Sequence, residues 1–370
     1  MDAKPCRLES LVIIMLDFYK GKKVFITGHT GFKGSWLTKI LLLAGAEVTG
    51  YSLIPPTNSN LFNLSGVEGK INSIIGDIRD LVSLKKAIIE ASPEIVFHLA
   101  AQPIVRESYN NPHYTYETNV MGTVNLFESI RESATVKSVV NVTTDKVYEN
   151  KEWDWGYREI DTLNGYDPYS NSKSCSELIT HSYRNSFFSN SNIRISTARA
   201  GNVIGGGDFS KDRIIPDCVK AVIEKKEIIV RNPNSIRPYQ HVFEPLNAYL
   251  MIAEKQYCDD KYEGYYNIGP DEEDCVTTGK LVDMFCRKWG QDISWINKNA
   301  NGPHEANYLK LDCSKMRRTF DWKPRSNVDY AIEKTIEWTK NYLENEDIPS
   351  VMDMQIKDFF TLPCKGDRSI

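Results

Sequence analysis

The stretch KVFITGHTGFKGSWLTKILLLAG, residues 23–45, constrains this chain more than any other. A short apolar run, VFIT, is followed at once by Gly28, Gly31 and Gly34, and then by Leu37, Ile40, Leu41 and Ala44 at helical spacing. Glycine lets a backbone turn tightly and approach a ligand closely, while a helix N-terminus presents unpaired N–H groups and partial positive charge. The order strand, glycine turn, helix predicts a site for the pyrophosphate of a dinucleotide. A tight β-to-α turn needs glycine too, so the context carries the reading rather than the triplet.

That context repeats. INSIIGDI, EIVFHLAA, SVVNVTT and IRISTARAGN alternate with the helix-like DLVSLKKAIIEAS and TYETNVMGTVNLFESIRES. Strands this apolar are expected to be covered on both faces, which predicts an α/β fold of Rossmann type, a doubly wound parallel sheet. After Gly201 the chain turns to Gly-, Pro-, Asn- and Asp-rich loops with helices at 214–225 and 277–289. We therefore expect a nucleotide-binding domain over 21–200 and about 239–262. A smaller C-terminal substrate-binding domain takes 201–238 and 263–347. Residues 1–20 read as a leader, with Met15 as an alternative start, and 348–370 as a tail without a strong period.

Composition narrows the partner. The 370 residues carry a net charge of -4, with 45 basic and 49 acidic side chains, which gives no electrostatic reason to expect nucleic acid or an anionic membrane. A small molecule fits better. The eight cysteines form no C-x-x-C pair, so neither a zinc site nor a disulfide framework is expected, and no metal is assigned. LVIIML at 11–16 is too short to span a membrane and lacks a cleavage signal, so the expected location is the cytoplasm.

The candidate cofactor contacts are Gly28, Gly31, Phe32, Gly34, Ser52, Asp77, Ile78, Ala100 and Ala101, joined by Tyr169 and Lys173. Ser52 stands where an NAD enzyme commonly places an acid for the ribose hydroxyls. Lys33 and His29 are near enough in sequence to raise the opposite reading, a contact to the 2′-phosphate of NADP. Asp77 reads equally as an adenine contact or as a polar strand end.

Chemistry gathers at TTDK, residues 143–146, where an apolar strand gives way to a hydroxyl, a carboxylate and an amine. YSNSK then places Lys173 four residues after Tyr169, just past Pro168, so both side chains share one helix face. A phenol with a pKa of ~10 is a poor base at neutral pH, and a neighbouring ammonium is expected to lower that value.

The glycine turn, the Thr at a strand end and the Tyr/Lys pair resemble the extended short-chain dehydrogenase/reductase superfamily. GKKVFITGHTGFKGSWL, TTDKVYENKEW, GYDPYSNSK, RAGNVIGGGDFSKDRIIPD and SIRPYQHVFEPL resemble, more closely, the CDP-glucose 4,6-dehydratase family, from about Met15 to beyond FDWKPR. The resemblance implies an NAD-dependent hydro-lyase that oxidises a nucleotide sugar at C4, eliminates water across C5 and C6, and returns hydride to C6. It would serve deoxysugar and O-antigen synthesis. It implies Tyr169 as the C4 base, helped by Lys173 and Thr144, Asp145 as the acid and Lys146 as the C5 base. Lys146 must then be neutral when it acts, which desolvation and cationic neighbours would favour. The plain alternative is a surface salt bridge from Lys146 to Asp145.

By the same resemblance Gln102, Asn202, Asp212, Arg213, Arg237 and His304 would hold the CDP-glucose substrate, with His241 more naturally a structural residue. Two other readings stay open: a 4-epimerase of the superfamily, and an NAD-binding protein without catalysis. The family implies a homodimer or dimer of dimers, with helices 112–133 and 169–190 as the expected contact.

Overall fold

The structure, a computed structural model, describes residues 16–290, 293–298 and 308–363. Its framework is one parallel sheet of seven strands: β1 (Lys23–Thr27), β2 (Glu47–Ser52), β3 (Asn72–Ile75), β4 (Ile95–His98), β5 (Ser138–Thr144), β6 (Arg194–Ala200) and β7 (Tyr265–Ile268). They lie in the order β7-β6-β5-β4-β1-β2-β3. The chain winds outward from β1 to β3, then crosses to β4 on the other side. The gap at the carboxyl ends of β1 and β4 is the switch point where sheets of this kind bind ligands.

Burial on both sheet faces explains the near-continuous apolar strands. On one face α1 (Phe32–Leu43) packs Trp36, Leu37, Ile40 and Leu41 with Leu246, Tyr249, Leu250 and Ala253 of helix Phe243–Cys258. On the other, α2 (Leu81–Ala91) and α3 (Gly122–Arg131) bring Leu84, Ala87, Ile88, Leu126, Phe127 and Ile130 together. α4 (Pro168–Tyr183) also packs against β5. The smaller lobe has its own core of Ile215, Cys218, Leu281, Phe285, Ile332 and Ile336, on helices Ile214–Ile223, Thr278–Trp289 and Val328–Leu343.

Three expectations about organisation change. Tyr265–Ile268, assigned to the second domain, supplies strand β7. The leader expected over 1–20 ends earlier than that, because Leu16 and Tyr19 are buried and the Tyr19 hydroxyl donates to the Leu250 carbonyl at 2.7 Å. Residues 1–15, with Met15 as alternative start, lie outside the described residues.

The tail is a helix, Ile348–Thr361, docked on the sheet core through Ile348, Val351, Met352, Ile356, Phe359 and Phe360. An ion pair from Lys39 to Asp353 at 3.0 Å ties it to α1. Its apolar stripe is disguised in the sequence because Met354 is exposed while Gln355 is buried and donates to the Lys334 carbonyl at 3.0 Å. Truncating Met352, which is fully buried, should therefore leave a cavity in the main core. Urea unfolding of Met352→Ala should show a loss of about 3 kcal/mol.

Candidate active site

A cavity of about 870 Å³ opens at the switch point and runs between the sheet and the smaller lobe. Every expected cofactor contact lines it: Gly28, Gly31, Phe32, Gly34, Ser52, Asp77, Ile78, Ala100, Ala101, Tyr169 and Lys173. Gly28 sits at φ +79°, and a Cβ there would come within 2.7 Å of the Ala100 nitrogen. A Cβ on Gly34 would run into the Gly28 carbonyl, so α1 can approach the strand this closely only with glycine at that position. The cradle fits a dinucleotide pyrophosphate at the N-terminus of α1.

His29 and Lys33, the residues raised for the 2′-phosphate of NADP, are engaged elsewhere. His29 is fully buried beneath the turn, its Nε2 2.8 Å from Ser73 Oγ, and burial lowers its pKa to about 4. Lys33 points toward the catalytic end, with Nζ 3.4 Å from the Tyr249 hydroxyl. Burial, then Arg213 and Lys173, lower its pKa to about 7. Neither residue occupies the place proposed for it from sequence. Ser52 hydrogen-bonds Thr30 across the turn at 2.8 Å. Asp77 is bound by Arg79, whose Nη2 lies 2.6 Å from its carboxylate, and this holds the acid below its ordinary pKa. Its side chain is thus a loop anchor as well as a wall of the cavity.

The catalytic candidates meet where β5 ends against α4. Asp167 caps α4 by accepting from the Ser170 N–H at 2.9 Å, and Pro168 occupies its first turn. Tyr169 and Lys173 then project from one face into the cavity that Thr144, Asp145 and Lys146 also line. Lys173 Nζ donates to the Val142 carbonyl at 3.1 Å, and burial lowers its pKa to about 8. Burial raises the Tyr169 phenol to about 12, against the pull of a Thr144 hydroxyl contact. This is opposite to the lowering expected from Lys173: desolvation dominates, and the cation that pulls the phenol down is Arg213.

Asp145 is only 1% exposed, which rules out a surface salt bridge with Lys146. Thr144 Oγ1 donates to Asp145 Oδ1 at 2.9 Å, and Oδ2 has no hydrogen-bond partner among the described residues. Desolvation raises the Asp145 pKa, opposed first by the charge of Lys146. A carboxyl biased toward its protonated form, with one free oxygen at a cavity, is suited to donate a proton.

On the sugar side, Asn202, Asp212, Arg213 and Arg237 all line the cavity. The Asp212 carboxylate lies 3.0 Å from Arg231 and 3.6 Å from Arg106, and Arg213 holds Asp208 at 2.8 Å. Arg106 and Arg231 also line the cavity, and sequence reasoning missed both. Their signal was faint: single arginines in IVRESY and VRNPNS, with no fixed spacing to the other site residues. Gln102 borders the cavity, but its amide is committed to Ile104 and Thr115, so it pins a loop rather than reaching toward a ligand. His241 is buried against Phe243 and Tyr330, as a structural histidine would be, and burial lowers its pKa to about 3. His304 lies outside the described residues.

The sequence profile of the GDP-mannose 4,6 dehydratase family matches residues 25–335. The chain belongs to this family. Within it, the chain is 47% identical over 351 residues to the CDP-glucose 4,6-dehydratase of Salmonella typhimurium, covering 93% of this chain and 98% of that protein. Solved dehydratases and epimerases share the fold. The dTDP-glucose 4,6-dehydratase of Bacillus anthracis in complex with NAD superposes with TM-score 0.72 at 23% identity, covering 89% of this chain and 99% of that one. The UDP-glucose 4-epimerase of Thermotoga maritima gives 0.76 at 19%, covering 86% and 99%.

This dehydratase-family site stores its reactivity as buried charge. With its pKa near 8, Lys173 must be buried as an ammonium below that pH, whereas the unfolded chain keeps the same charge in water. From about pH 8 to about 10.5 the unfolded state binds more protons at this group, so wild-type stability should rise with pH there. Lys173→Met should stabilise the protein by about 2 kcal/mol at pH 7 and lose that advantage as pH approaches 10, as followed by chemical unfolding across pH.

Proposed function

We propose that the chain is an NAD-dependent hydro-lyase converting CDP-D-glucose to CDP-4-dehydro-6-deoxy-D-glucose. The observation that carries this is the buried, half-satisfied Asp145 beside Thr144, Lys146, Tyr169 and Lys173 on one cavity wall. The choice of base and sugar is supported by the 47% identity to the Salmonella enzyme. An epimerase of the same fold needs no acid for a departing C6 hydroxyl, and so gives Asp145 no task.

Tyr169 takes the C4 hydroxyl proton, with Lys173 and Arg213 favouring the phenolate. The cradle at Gly28, Gly31 and Gly34 would hold NAD, which would supply a hydride acceptor for C4 and a donor for C6. The C4 ketone acidifies the C5 hydrogen, which Lys146 removes, while Asp145 protonates the leaving C6 hydroxyl. The arginines at 106, 213, 231 and 237 offer charge-assisted donors for the diphosphate. NAD is favoured over NADP because the lining residues that follow β2, Leu53, Ile54 and Pro56 with Ser52 at its end, are all uncharged. Pairing into homodimers through helices 112–133 and 169–190 is supported by the exposed apolar side chains of Met121, Leu178 and Phe187. Among the described residues no helix is long and apolar enough to cross a membrane, which is compatible with a cytoplasmic enzyme.

Incubation with NAD and, separately, CDP-, dTDP-, GDP- and UDP-glucose should show loss of one water from CDP-glucose by mass spectrometry. Loss from another nucleotide sugar, and none from CDP-glucose, would reject the proposed substrate. Lys146→Met should still oxidise C4, seen as absorbance at the wavelength of reduced nicotinamide, but should cease to incorporate solvent deuterium at C5. Undiminished incorporation would remove Lys146 from the role of C5 base.

A further inference from the structure

Two arginines on the cavity wall share a single carboxylate oxygen. Arg231 Nη2 lies 3.0 Å from Asp212 Oδ1, and Arg106 Nη1 lies 3.6 Å from the same atom, although Arg106 comes from the nucleotide domain and Asp212 from the smaller lobe. Asp212 stands in the turn just before helix Ile214–Ile223, at φ +60°. A neighbouring acid shows what a purely structural partner looks like. Asp208 has a side chain only 4% exposed, accepts from the Ser210 N–H at 3.1 Å and holds Arg213 at 2.8 Å. The Asp212 side chain is instead 34% exposed and borders the cavity that a diphosphate must enter.

We infer that Asp212 is a placeholder for the substrate diphosphate, a positioning residue that keeps Arg106 and Arg231 at the cavity and gives them up when the diphosphate arrives. The chemistry favours this exchange. Asp212 offers one oxygen to two guanidinium groups, and 3.6 Å is too long for a hydrogen bond to Arg106. A diphosphate brings two negative charges and several oxygens, so each arginine fork can be met at two points. An ion pair as exposed as these is weak and is broken at little cost. Arg231 keeps an acid beside it after the exchange, because the Asp217 carboxylate also lies 3.6 Å from it.

The exchange also sets what the site accepts. A ligand must bring more negative charge than the carboxylate it displaces, which selects a diphosphate over an uncharged or singly charged group. Because Arg106 and Asp212 sit on opposite lobes, the diphosphate takes over a bridge that the carboxylate holds before it arrives. Asp212 thus acts through the arginines, and not as the direct substrate ligand that the family resemblance implies.

The placeholder role rests on the nucleotide-sugar reading proposed above, and binding separates the two. Calorimetric titration with CDP, in excess NAD, compares wild type with Asp212→Asn, which removes the charge while asparagine still accepts the left-handed backbone. Removing one negative charge about 6 Å from a doubly charged ligand is a factor of about ten even at the dielectric constant of water. Asp212→Asn should therefore bind CDP about tenfold more tightly than wild type at an ionic strength of about 0.01 M, where screening is weak. At about 1 M, where charges are screened beyond about 3 Å, the gain should shrink to within about twofold. Weaker or unchanged binding by Asp212→Asn would overturn the placeholder. So would a gain that persists at high salt, since that reports a relaxed turn and not a removed charge. Should Asp212→Asn not fold, Asp212→Gly, which also accepts φ +60°, is read by the same criteria. Wild type that fails to bind CDP would instead overturn the nucleotide-sugar reading, and the placeholder with it.

Discussion

A buried ion pair sets the geometry on which the active site depends. Glu177, two helical turns beyond Tyr169 and one beyond Lys173, accepts from Arg199 Nη2 at 2.8 Å, with both side chains almost completely buried. Thr143 and Thr197 donate to the same carboxylate at 2.5 and 2.7 Å, so one acid is shared by α4, β5 and β6. Arg199 in turn donates to Tyr148 at 2.8 Å, and Tyr148 donates to Asn267 on β7 at 2.6 Å. Desolvating such a pair offsets much of its attraction, so its net stabilisation is small, but removing either partner strands a charge at a cost of about 3–5 kcal/mol. Its consequence is geometric: rotating or sliding α4 would break the network. The faces carrying Tyr169 and Thr144 are thereby held against each other.

Around that fixed contact the electrostatics are unusual in their sign. Lys33, Lys146, Lys173, Arg213 and Arg237 crowd a wall whose central acid, Asp145, is itself biased toward neutrality. Such a wall attracts anionic ligands, although burial still holds the Tyr169 phenol above its ordinary pKa. It also makes each ammonium costly: burial lowers both Lys33 and Lys173 toward neutral pH, and repulsion from Arg213 and Lys173 adds to this at Lys33. The acids Asp208 and Asp212, paired with Arg213, Arg106 and Arg231, keep the substrate end from carrying uncompensated charge.

The smaller lobe completes the cavity rather than standing apart from it. Arg106 follows β4 in the nucleotide domain, whereas Asp212 and Arg231 belong to the substrate side, and their ion pairs join the two across the opening. The segment after Tyr148 reinforces the junction. Asn150 donates to the Tyr308 carbonyl at 3.0 Å, and the Tyr157 N–H donates to the Lys310 carbonyl at 3.0 Å. Stacking of Tyr157 between Tyr148 and Trp153 adds a small aromatic core at the same place.

What the sequence by itself determined was local. A strand followed by Gly28, Gly31 and Gly34 can make only a narrow turn, and residues four apart on a helix must share a face. The dinucleotide cradle, the Tyr169/Lys173 pair and the alternating sheet were therefore legible. Interactions between segments far apart in the chain were not. Lys33 reads as a ribose-phosphate ligand by proximity, yet its long side chain follows the first turn of α1 to Tyr249, 216 residues away. Arg106 and Arg231 become site residues only when the lobes close. The tail becomes core because a helix with a buried Gln355 finds its partners on α1 and Val328–Leu343, which no local periodicity announces. Backbone stereochemistry acts between neighbours and can be read along the chain, whereas burial and charge pairing act through space and were decided by the tertiary structure.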